Sequence, residues 1–306
     1  MGAPPLALLG PTASGKTEAA IELADVLGAE IVSVDSMLVY RGMDVGTAKP
    51  TAAQRSRVPH HLIDIAEPSE PFSVARYQAL ARPVLADLRS RRQTPLLVGG
   101  SGLYFRAVVD HLQFPGTDAG TREELERQAL ALGAHGLHRR LVMADPVAAG
   151  RIEPGNARRT VRALEVAAVT GRPFSSFAEA WTSYPSAHVR AVGVALDRED
   201  LAVRVRSRVE SMVALGFLEE VWGLLSEGLG DWLTSTQAIG YAEMARHLGG
   251  RLSFDEAVDG TVRRTNHLAR RQMAWFRRDP RIRWVTAGAG GAMDVVHELR
   301  AELEAG

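Results

Sequence analysis

The sequence predicts an α/β protein whose parallel β-sheet carries helices on both faces. Two observations support this fold class: the apolar runs are short and continuous, and helical patterns separate most of them. A strand buried on both faces gives a continuous apolar run, and parallel strands require helical crossovers. The candidate strands cover 6–9 (LALL), 30–35 (EIVSVD), 61–65 (HLIDI), 95–100 (PLLVGG) and 189–197 (VRAVGVALD).

Helical patterns fill the rest of the chain. One helix should begin near Lys16 and end at Gly28, and another should cover 74–91. Residues 121–179 contain no convincing strand, so we expect a helical insertion domain at 113–189 and a core formed by 1–112 and 190–306. After residue 197 the core should be mostly helical, with AGAGGA serving as a linker before the last helix.

The composition is that of a globular protein. The chain has 306 residues, 46% of them apolar and 24% charged, and no apolar run approaches the roughly 20 residues that span a bilayer. We therefore expect a cytoplasmic protein without a membrane partner. The absence of cysteine excludes disulfides and a thiol nucleophile, so a metal would bind to oxygen ligands, with or without histidine.

Basic residues are clustered although the formal net charge is zero. Residues 261–284 include eight arginines but one acidic residue, Asp279. A second arginine cluster at 151–172 contains only Glu153 and Glu165 as acidic residues. Such clusters can bind nucleic-acid phosphates, or they can be solvated helix faces.

Only two of the 36 basic residues are lysines. A lysine retained in such an arginine-rich chain suggests a site that needs a compact ammonium group. Lys16 lies in a phosphate-loop motif. Lys49 lies in GTAKP, which is a second candidate site unless the lysine is present there by chance.

The motif around Lys16 is GPTASGKT, which matches G-x-x-x-x-G-K-[ST] between a predicted strand and a predicted helix. Its glycines let backbone N–H groups converge on an anion at the N-terminus of a helix. Lys16 would contact phosphate, and the Thr17 hydroxyl would bind Mg²⁺. The motif predicts a P-loop NTPase-like core, for which an ATP-dependent kinase or ATPase is the default function.

A carboxylate near this loop is expected from another strand. P-loop ATPases usually hold their metal through an aspartate that ends a second strand, but PLLVGG contains none. Asp35 ends EIVSVD, at the edge of the sheet where ligands bind in α/β folds. It either faces the phosphate loop or forms a turn in DSM.

Longer motifs resemble the bacterial tRNA dimethylallyltransferase (isopentenyltransferase, IPP transferase) family over nearly the whole chain. They are GPTASGKT, DSMLVYRGMDVGTAKP, HHLIDI, LLVGGSGLYF, DP followed by RRTVRALEV and TGRP, QAIGYAE, and RRQMAWFRRD. The resemblance implies a monomer that transfers the dimethylallyl group of dimethylallyl diphosphate to N6 of adenosine 37, just 3′ of the tRNA anticodon. The implied tRNAs read codons that begin with U, and the products are N6-(dimethylallyl)adenosine and diphosphate.

The resemblance also implies that the loop binds the donor's diphosphate rather than ATP. Asp35 matches the general base, and it would take a proton from the weakly nucleophilic amine. Catalysis would also involve Thr12, Lys16 and an arginine, for which we choose Arg204 over Arg208 on the same helix face. The implied diphosphate residues are Gly10, Pro11, Thr12, Ala13, Ser14, Gly15, Lys16 and Thr17, with Thr17 near Mg²⁺.

Contacts to the tRNA anticodon stem-loop are implied in four segments. Leu38 departs from the glutamine of many members, and Ser101 replaces a common threonine. The implied residues are Asp35, Ser36, Met37, Leu38, Ser101, Arg158, Arg159, Thr160, Val161, Arg162, Gln237, Ala238, Ile239, Gly240, Tyr241 and Ala242.

Two other functions remain open from the residues. A small-molecule or nucleotide kinase would use the same loop with ATP and would have a mobile lid that carries arginine. A non-enzymatic RNA-binding protein would carry a vestigial loop, but the intact Lys16, Thr17 and Asp35 argue against it.

Overall fold

The computed structural model describes residues 4–110, 112–177, 183–185, 188–231 and 234–305. No helix within these ranges is both long and apolar enough to cross a membrane. In chain order the elements are β1 (Leu6–Leu9), α1 (Lys16–Leu27), β2 (Ala29–Ser33), α2 (Ala52–Arg57), β3 (His60–His61), α3 (Val74–Ser90), β4 (Thr94–Gly99), α4 (Gly102–Val109), α5 (Ala119–Ala144), α6 (Pro146–Ala149), α7 (Ala157–Thr170), β5 (Arg190–Leu196), α8 (Arg198–Ala214), α9 (Phe217–Ser226), α10 (Tyr241–Leu248), α11 (Phe254–Phe276), β6 (Ile282–Ala287) and α12 (Val296–Ala305).

The strands form one parallel sheet in the order β3-β2-β4-β1-β5-β6, which confirms the predicted α/β class. Two strand predictions were wrong in detail. The run 61–65 forms only the short β3, because Leu62 and Asp64 have φ angles of 64° and 57° and turn the chain away. The sixth strand, β6, was missed in a region expected to be mostly helical.

The sheet separates two apolar layers. Along β1, Ala7 and Leu9 belong to one layer and Leu6 and Leu8 to the other, as expected when successive side chains point to opposite faces. The first layer also contains Phe105 from α4. This burial of both faces explains why the strands appear as continuous apolar runs.

Contacts divide the chain into two compact units, Met1–Val109 with Pro185–Gly306, and Asp110–Tyr184. These boundaries lie a few residues before those we predicted. The smaller unit contains α5, α6 and α7, with no strand among its described residues. Helix α5 is interrupted at Gly133, and the predicted segment 121–179 ends outside the described residues.

The glycine-rich segment AGAGGA was wrongly predicted to be a linker. It packs against the phosphate loop: the Ala292 N–H donates to the Ser14 carbonyl over 2.8 Å, and Arg204 donates to the Ala289 carbonyl over 2.8 Å. Ala292 itself is fully buried. The small residues of this segment allow a close backbone approach, so its composition reflects packing rather than flexibility.

Lys49 holds the segment between β2 and α2. Its Nζ donates to the Tyr40 carbonyl over 2.6 Å, to Asp44 Oδ1 over 2.5 Å and to Asp64 Oδ1 over 2.6 Å, and its side chain is 2% exposed. Arg55 binds the other oxygen of Asp64. Three acceptors around one buried ammonium match its three donors, which explains why lysine is retained here.

Glu220 on α9 holds the same segment from another side. Its carboxylate accepts the backbone N–H groups of Asp44, Val45 and Gly46 over 2.8, 2.7 and 3.1 Å. Tyr241 donates its hydroxyl to the same carboxylate over 2.6 Å. The segment 44–49 is therefore fixed by charged groups although it has no regular secondary structure.

We expect Lys49→Arg to lower the free energy of unfolding by about 1–3 kcal/mol, because a planar guanidinium cannot direct three donors at these acceptors. Urea unfolding followed by circular dichroism measures the change. Arg57→Lys is the control: its partners Glu22 and Asp25 are exposed, so it should change stability by less than about 1 kcal/mol. Equal effects of the two substitutions would contradict the role assigned to Lys49.

Candidate functional site

The phosphate loop joins β1 to α1, as its motif predicts. Gly15 precedes the helix with a φ of 79°, and a Cβ there would lie 3.1 Å from Arg204 Nη2 and 3.2 Å from the Ala292 nitrogen. Only glycine fits this left-handed and crowded position without strain. The loop therefore leads into the N-terminus of α1, where an anion is favoured.

Lys16 folds back over the loop. Its Nζ donates to the Pro11 carbonyl over 2.5 Å and to Ser14 Oγ over 3.3 Å. Burial, and after it the nearby Arg208 guanidinium, lowers the pKa of Lys16 to about 7. A bound anion would relieve this cation–cation repulsion and restore the charged ammonium.

Asp35 lies at the carboxyl edge of the sheet, just after β2. Its Oδ1 accepts the Met37 N–H over 2.8 Å, so it does form the turn considered as an alternative role. Its Oδ2 has no hydrogen-bond partner among the described residues and so can serve a ligand. Both interpretations of Asp35 therefore hold at once, because the two carboxylate oxygens have different surroundings.

Two cavities meet at Asp35. The loop cavity, of about 710 Å³, is lined by residues 12–18, by Asp35 and by most of the segment 44–55. The arginine cavity, of about 820 Å³, is lined by Asp35, Ser36, Met37 and Ser101 and by one face of α11. Both cavities share the residues Thr12, Asp35, Thr47, Gly100, Arg208, Met212 and Gln272.

The arginine cavity contains part of the basic cluster predicted at 261–284. Arg263, Arg264, Arg270 and Arg271 line it. Arg264 is held by Glu243 over 2.6 Å. Arg281 and Arg283 lie outside this cavity and pair with Asp279 and Glu302. The basic run thus divides into four cavity-lining arginines on α11, two arginines paired with acidic residues, and the exposed Arg277 and Arg278.

The geometry favours Arg208 over the predicted Arg204 as the arginine that faces the loop cavity. Arg204 donates to the Ala13 and Ala289 carbonyls over 2.8 Å each and lines neither cavity, so it braces the loop from behind. Arg208 lines both cavities and donates to the Thr47 carbonyl over 3.1 Å. The two arginines lie four residues apart on α8, and the sequence does not distinguish them.

The other implied RNA residues of the larger unit occupy different environments. Gln237, Ala238 and Ile239 line the arginine cavity. Tyr241 is fully buried and bound to Glu220, so its side chain belongs to the core rather than to a surface that RNA could reach. Gly240 is also buried, whereas Ala242 is partly exposed, and Leu38 lines the loop cavity.

In the smaller unit, the implied segment 158–162 begins α7. Arg158 and Arg159 are exposed on its first turn, whereas Thr160 and Val161 are buried. Arg162 binds the fully buried Glu165 over 2.8 Å and the Pro115 carbonyl over 2.6 Å, so its contacts are structural. Of the three arginines in this segment, Arg158 and Arg159 are the exposed ones.

Sequence reasoning missed Gln272 and Trp275, both on α11. Gln272 Oε1 accepts the Thr12 N–H over 2.8 Å, and the Trp275 ring packs where a side chain on Gly102 would otherwise lie. Both residues belong to RRQMAWFRRD, whose arginines suggested RNA binding but whose glutamine and tryptophan suggested nothing specific. Their contacts join segments that are distant in sequence, so no local pattern reveals them.

Comparisons with known proteins identify relatives of this chain over most of its length. The family model described as IPP transferase matches residues 38–279, and the model described as isopentenyl transferase matches residues 6–64. A protein from a Nocardioides species named tRNA dimethylallyltransferase is 48% identical over 95% of this chain and 94% of its own length. A protein of the same name from Salinispora arenicola is 48% identical over 97% of this chain and 86% of its own length.

The fold is shared with a solved structure, that of the full-length tRNA isopentenylpyrophosphate transferase from Bacillus halodurans. The two chains are 39% identical and superpose with a TM-score of 0.71, over 99% of this chain and 97% of the other. The P-loop NTPase-like arrangement of sheet and loop is thus the one found in that enzyme. Family model, relatives and solved structure agree over nearly the full length, and the chain belongs to the IPP transferase family.

Proposed function

We propose that this protein transfers the dimethylallyl group of dimethylallyl diphosphate to N6 of the adenosine just 3′ of the anticodon in tRNA. The observation that supports this most is the meeting of the two cavities at Asp35: one contains the phosphate loop and the other is lined by arginines. A donor diphosphate and a base from RNA can therefore approach the same carboxylate. The relatives' names give the same reaction class.

In this proposal the diphosphate is a leaving group. The bond between C1 of the dimethylallyl group and the diphosphate oxygen breaks as the bond between C1 and adenine N6 forms. Charge that develops on the diphosphate is stabilised by the backbone N–H groups of the loop, by Lys16 and by Arg208. Thr12 lies at the junction of the cavities, beside the reacting groups.

Asp35 is proposed as the general base. The exocyclic amine of adenine is conjugated with the ring and is a weak nucleophile, so removal of its proton during attack accelerates the reaction. Asp35 Oδ2 is available for this proton, while Oδ1 stays bound to the Met37 N–H and fixes the orientation of the carboxylate. No covalent intermediate on the protein is needed.

The residues present fit Mg²⁺. Thr17 lines the loop cavity, and its hydroxyl has no hydrogen-bond partner among the described residues. Mg²⁺ prefers oxygen ligands and usually keeps several waters while it binds substrate phosphates, so one or two protein oxygens suffice. Thr17 would hold the ion, which would supply further charge compensation to the leaving group.

The anticodon arm of tRNA is the proposed RNA partner. The target base must leave its loop to reach Asp35, and Ser36, Met37 and Ser101 line the cavity it would enter. Arg263, Arg270 and the exposed arginines of α7 would bind phosphates of the RNA. A cytoplasmic monomer, acting on tRNAs that read codons beginning with U, completes the proposal.

A kinase that uses the same loop with ATP is the weaker alternative. The family and the relatives' names support the transferase instead. Dimethylallyl diphosphate and an unmodified anticodon stem-loop should yield alkylated adenosine, detected by mass spectrometry after nuclease digestion. Phosphoryl transfer from ATP without alkylated adenosine would reject the proposed function.

Asp35→Asn tests the general base without disturbing the turn, because the asparagine oxygen can still accept the Met37 N–H. We expect kcat for transfer to fall by about 10²–10⁴-fold, the usual contribution of general-base catalysis. The KM for the stem-loop should change little. A loss smaller than about tenfold would show that Asp35 only forms the turn.

Lys16 should make donor binding dependent on pH. In the free protein its pKa is about 7, so at pH 8 it is mostly neutral, and diphosphate binding should raise this pKa and take up a proton. Affinity for dimethylallyl diphosphate should therefore fall as the pH rises above 7. Titration calorimetry in buffers of different ionisation enthalpy measures the uptake, which should vanish in Lys16→Arg. Uptake that persists in this variant would assign the proton to another group.

Substitutions of Arg159 and Arg162 should have different effects, the first on RNA binding and the second on the stability of the fold. Arg159→Ala should weaken stem-loop binding and lower the slope of log Kd against log salt by about 0.7–0.9, with unchanged stability. Arg162→Ala should lower the free energy of unfolding by about 1–3 kcal/mol, because it removes one partner of the buried Glu165. Filter binding and thermal melting measure the two effects, and the reverse pattern would contradict the assignment.

A further inference from the structure

Gln272 places an amide group at the junction of the two cavities. It lies on α11 and lines both the loop cavity and the arginine cavity, as do Thr12 and Asp35. Its side chain reaches the point where the two substrates would meet.

The orientation of this amide is fixed by its partner. The Thr12 backbone nitrogen can only donate, and it lies 2.8 Å from the Gln272 side-chain atom, so that atom must be the oxygen. The NH₂ group is therefore on the other side. A rotated amide would bring two donors together and lose the hydrogen bond.

The NH₂ group faces Gly100, in the segment that follows β4. A Cβ on Gly100 would lie only 2.4 Å from Gln272 Nε2, so glycine leaves the space that the amide occupies. Nε2 has no hydrogen-bond acceptor among the described residues. It is not among the buried polar atoms that lack a partner, so it remains accessible from the cavities.

The surroundings indicate which ligand this donor fits. The diphosphate side already has the loop N–H groups, Lys16 and Arg208 as donors, and cations are the stronger partners for a dianionic group. On the base side, Asp35 is an acceptor, Met37 offers no side-chain donor, and Ser36 and Ser101 offer only neutral hydroxyl groups. A neutral amide donor beside an acceptor complements a neutral heterocycle that presents an amine next to a ring nitrogen.

We propose that Gln272 is a positioning residue that donates a hydrogen bond from Nε2 to a ring nitrogen beside the amino group of the acceptor adenine, N1 or N7. Asp35 and Gln272 then hold the base at two points, and the amine is directed at the donor carbon. The proposal rests on the proposed function, because it needs adenine as the acceptor.

The test combines a change in the protein with a change in the RNA. Anticodon stem-loops carry adenosine, 1-deazaadenosine or 7-deazaadenosine at the target position, and kcat/KM for transfer is measured with the wild type and with Gln272→Ala. With the wild type, one of the two deaza substrates should react about fivefold to tenfold more slowly than adenosine because a hydrogen bond is lost. With Gln272→Ala that difference should disappear, since the donor is already absent.

Gln272→Glu tests whether the effect comes from loss of the donor or from loss of the hydrogen bond that Gln272 accepts from Thr12. Its carboxylate can still accept the Thr12 N–H but cannot donate, so it should also lose the discrimination between adenosine and the deaza substrates. Asn266→Ala is the matched control: it removes an amide from the same helix whose donor is already bound to the Val262 carbonyl over 3.1 Å. This control should discriminate between the substrates as the wild type does.

Two outcomes would overturn the proposal. Equal deaza effects in the wild type and in both Gln272 variants would show that the amide does not touch the base. A raised KM for dimethylallyl diphosphate in Gln272→Glu and Gln272→Ala, without a change in discrimination, would assign the amide to the donor instead. Failure of the wild type to alkylate the adenosine substrate would reject the proposed function itself, and the two failures are therefore distinguishable.

Discussion

The site depends on how the carbonyl groups of the phosphate loop are bound from behind. Arg204 donates to the Ala13 carbonyl and Ala292 donates to the Ser14 carbonyl, each over 2.8 Å. Once these carbonyls are held on the far side, the loop's N–H groups other than that of Thr12, which donates to Gln272, can converge on an anion in the cavity. The brace comes from α8 and from the segment after β6, both far along the chain. The last part of the sequence therefore shapes a site whose motif lies in the first part.

The two lysines differ in the groups that surround their ammonium groups. Lys49 is surrounded by three oxygen acceptors and is satisfied within the fold. Lys16 donates to two oxygens of the loop, but burial and then the nearby Arg208 guanidinium lower its pKa to about 7, and a bound anion would restore its charge. Arginine could replace neither easily, because a planar fork neither fits three converging acceptors nor folds back over a tight loop. The first lysine fixes the wall of the loop cavity, and the second prepares that cavity for its ligand.

The fold class, the loop and the position of Asp35 could be predicted because each depends on local pattern: buried strands, glycine spacing and the edge of a parallel sheet. The features that differ from the sequence-based expectations depend on contacts between distant segments. AGAGGA looks like a linker until it packs on the loop, and Arg204 and Arg208 differ only in what lies opposite them. Tyr241 carries a motif that resembles an RNA contact, yet its hydroxyl binds Glu220 in the core. Gln272 was missed because a glutamine among arginines has no signature until Thr12 is found beside it.

The two cavities differ in charge, and this difference keeps the leaving group and the nucleophile in separate places. The loop cavity concentrates N–H groups and cations that bind a diphosphate more strongly as its negative charge grows during C–O cleavage. The junction is different: Asp35 has one open acceptor and Gln272 has an open donor, and both suit an uncharged base. A cationic group at the position of Gln272 would compete for the diphosphate and draw it away from the loop. The neutral amide instead keeps the leaving group on one side of Asp35 and the nucleophile on the other, which is the arrangement that displacement at a single carbon requires.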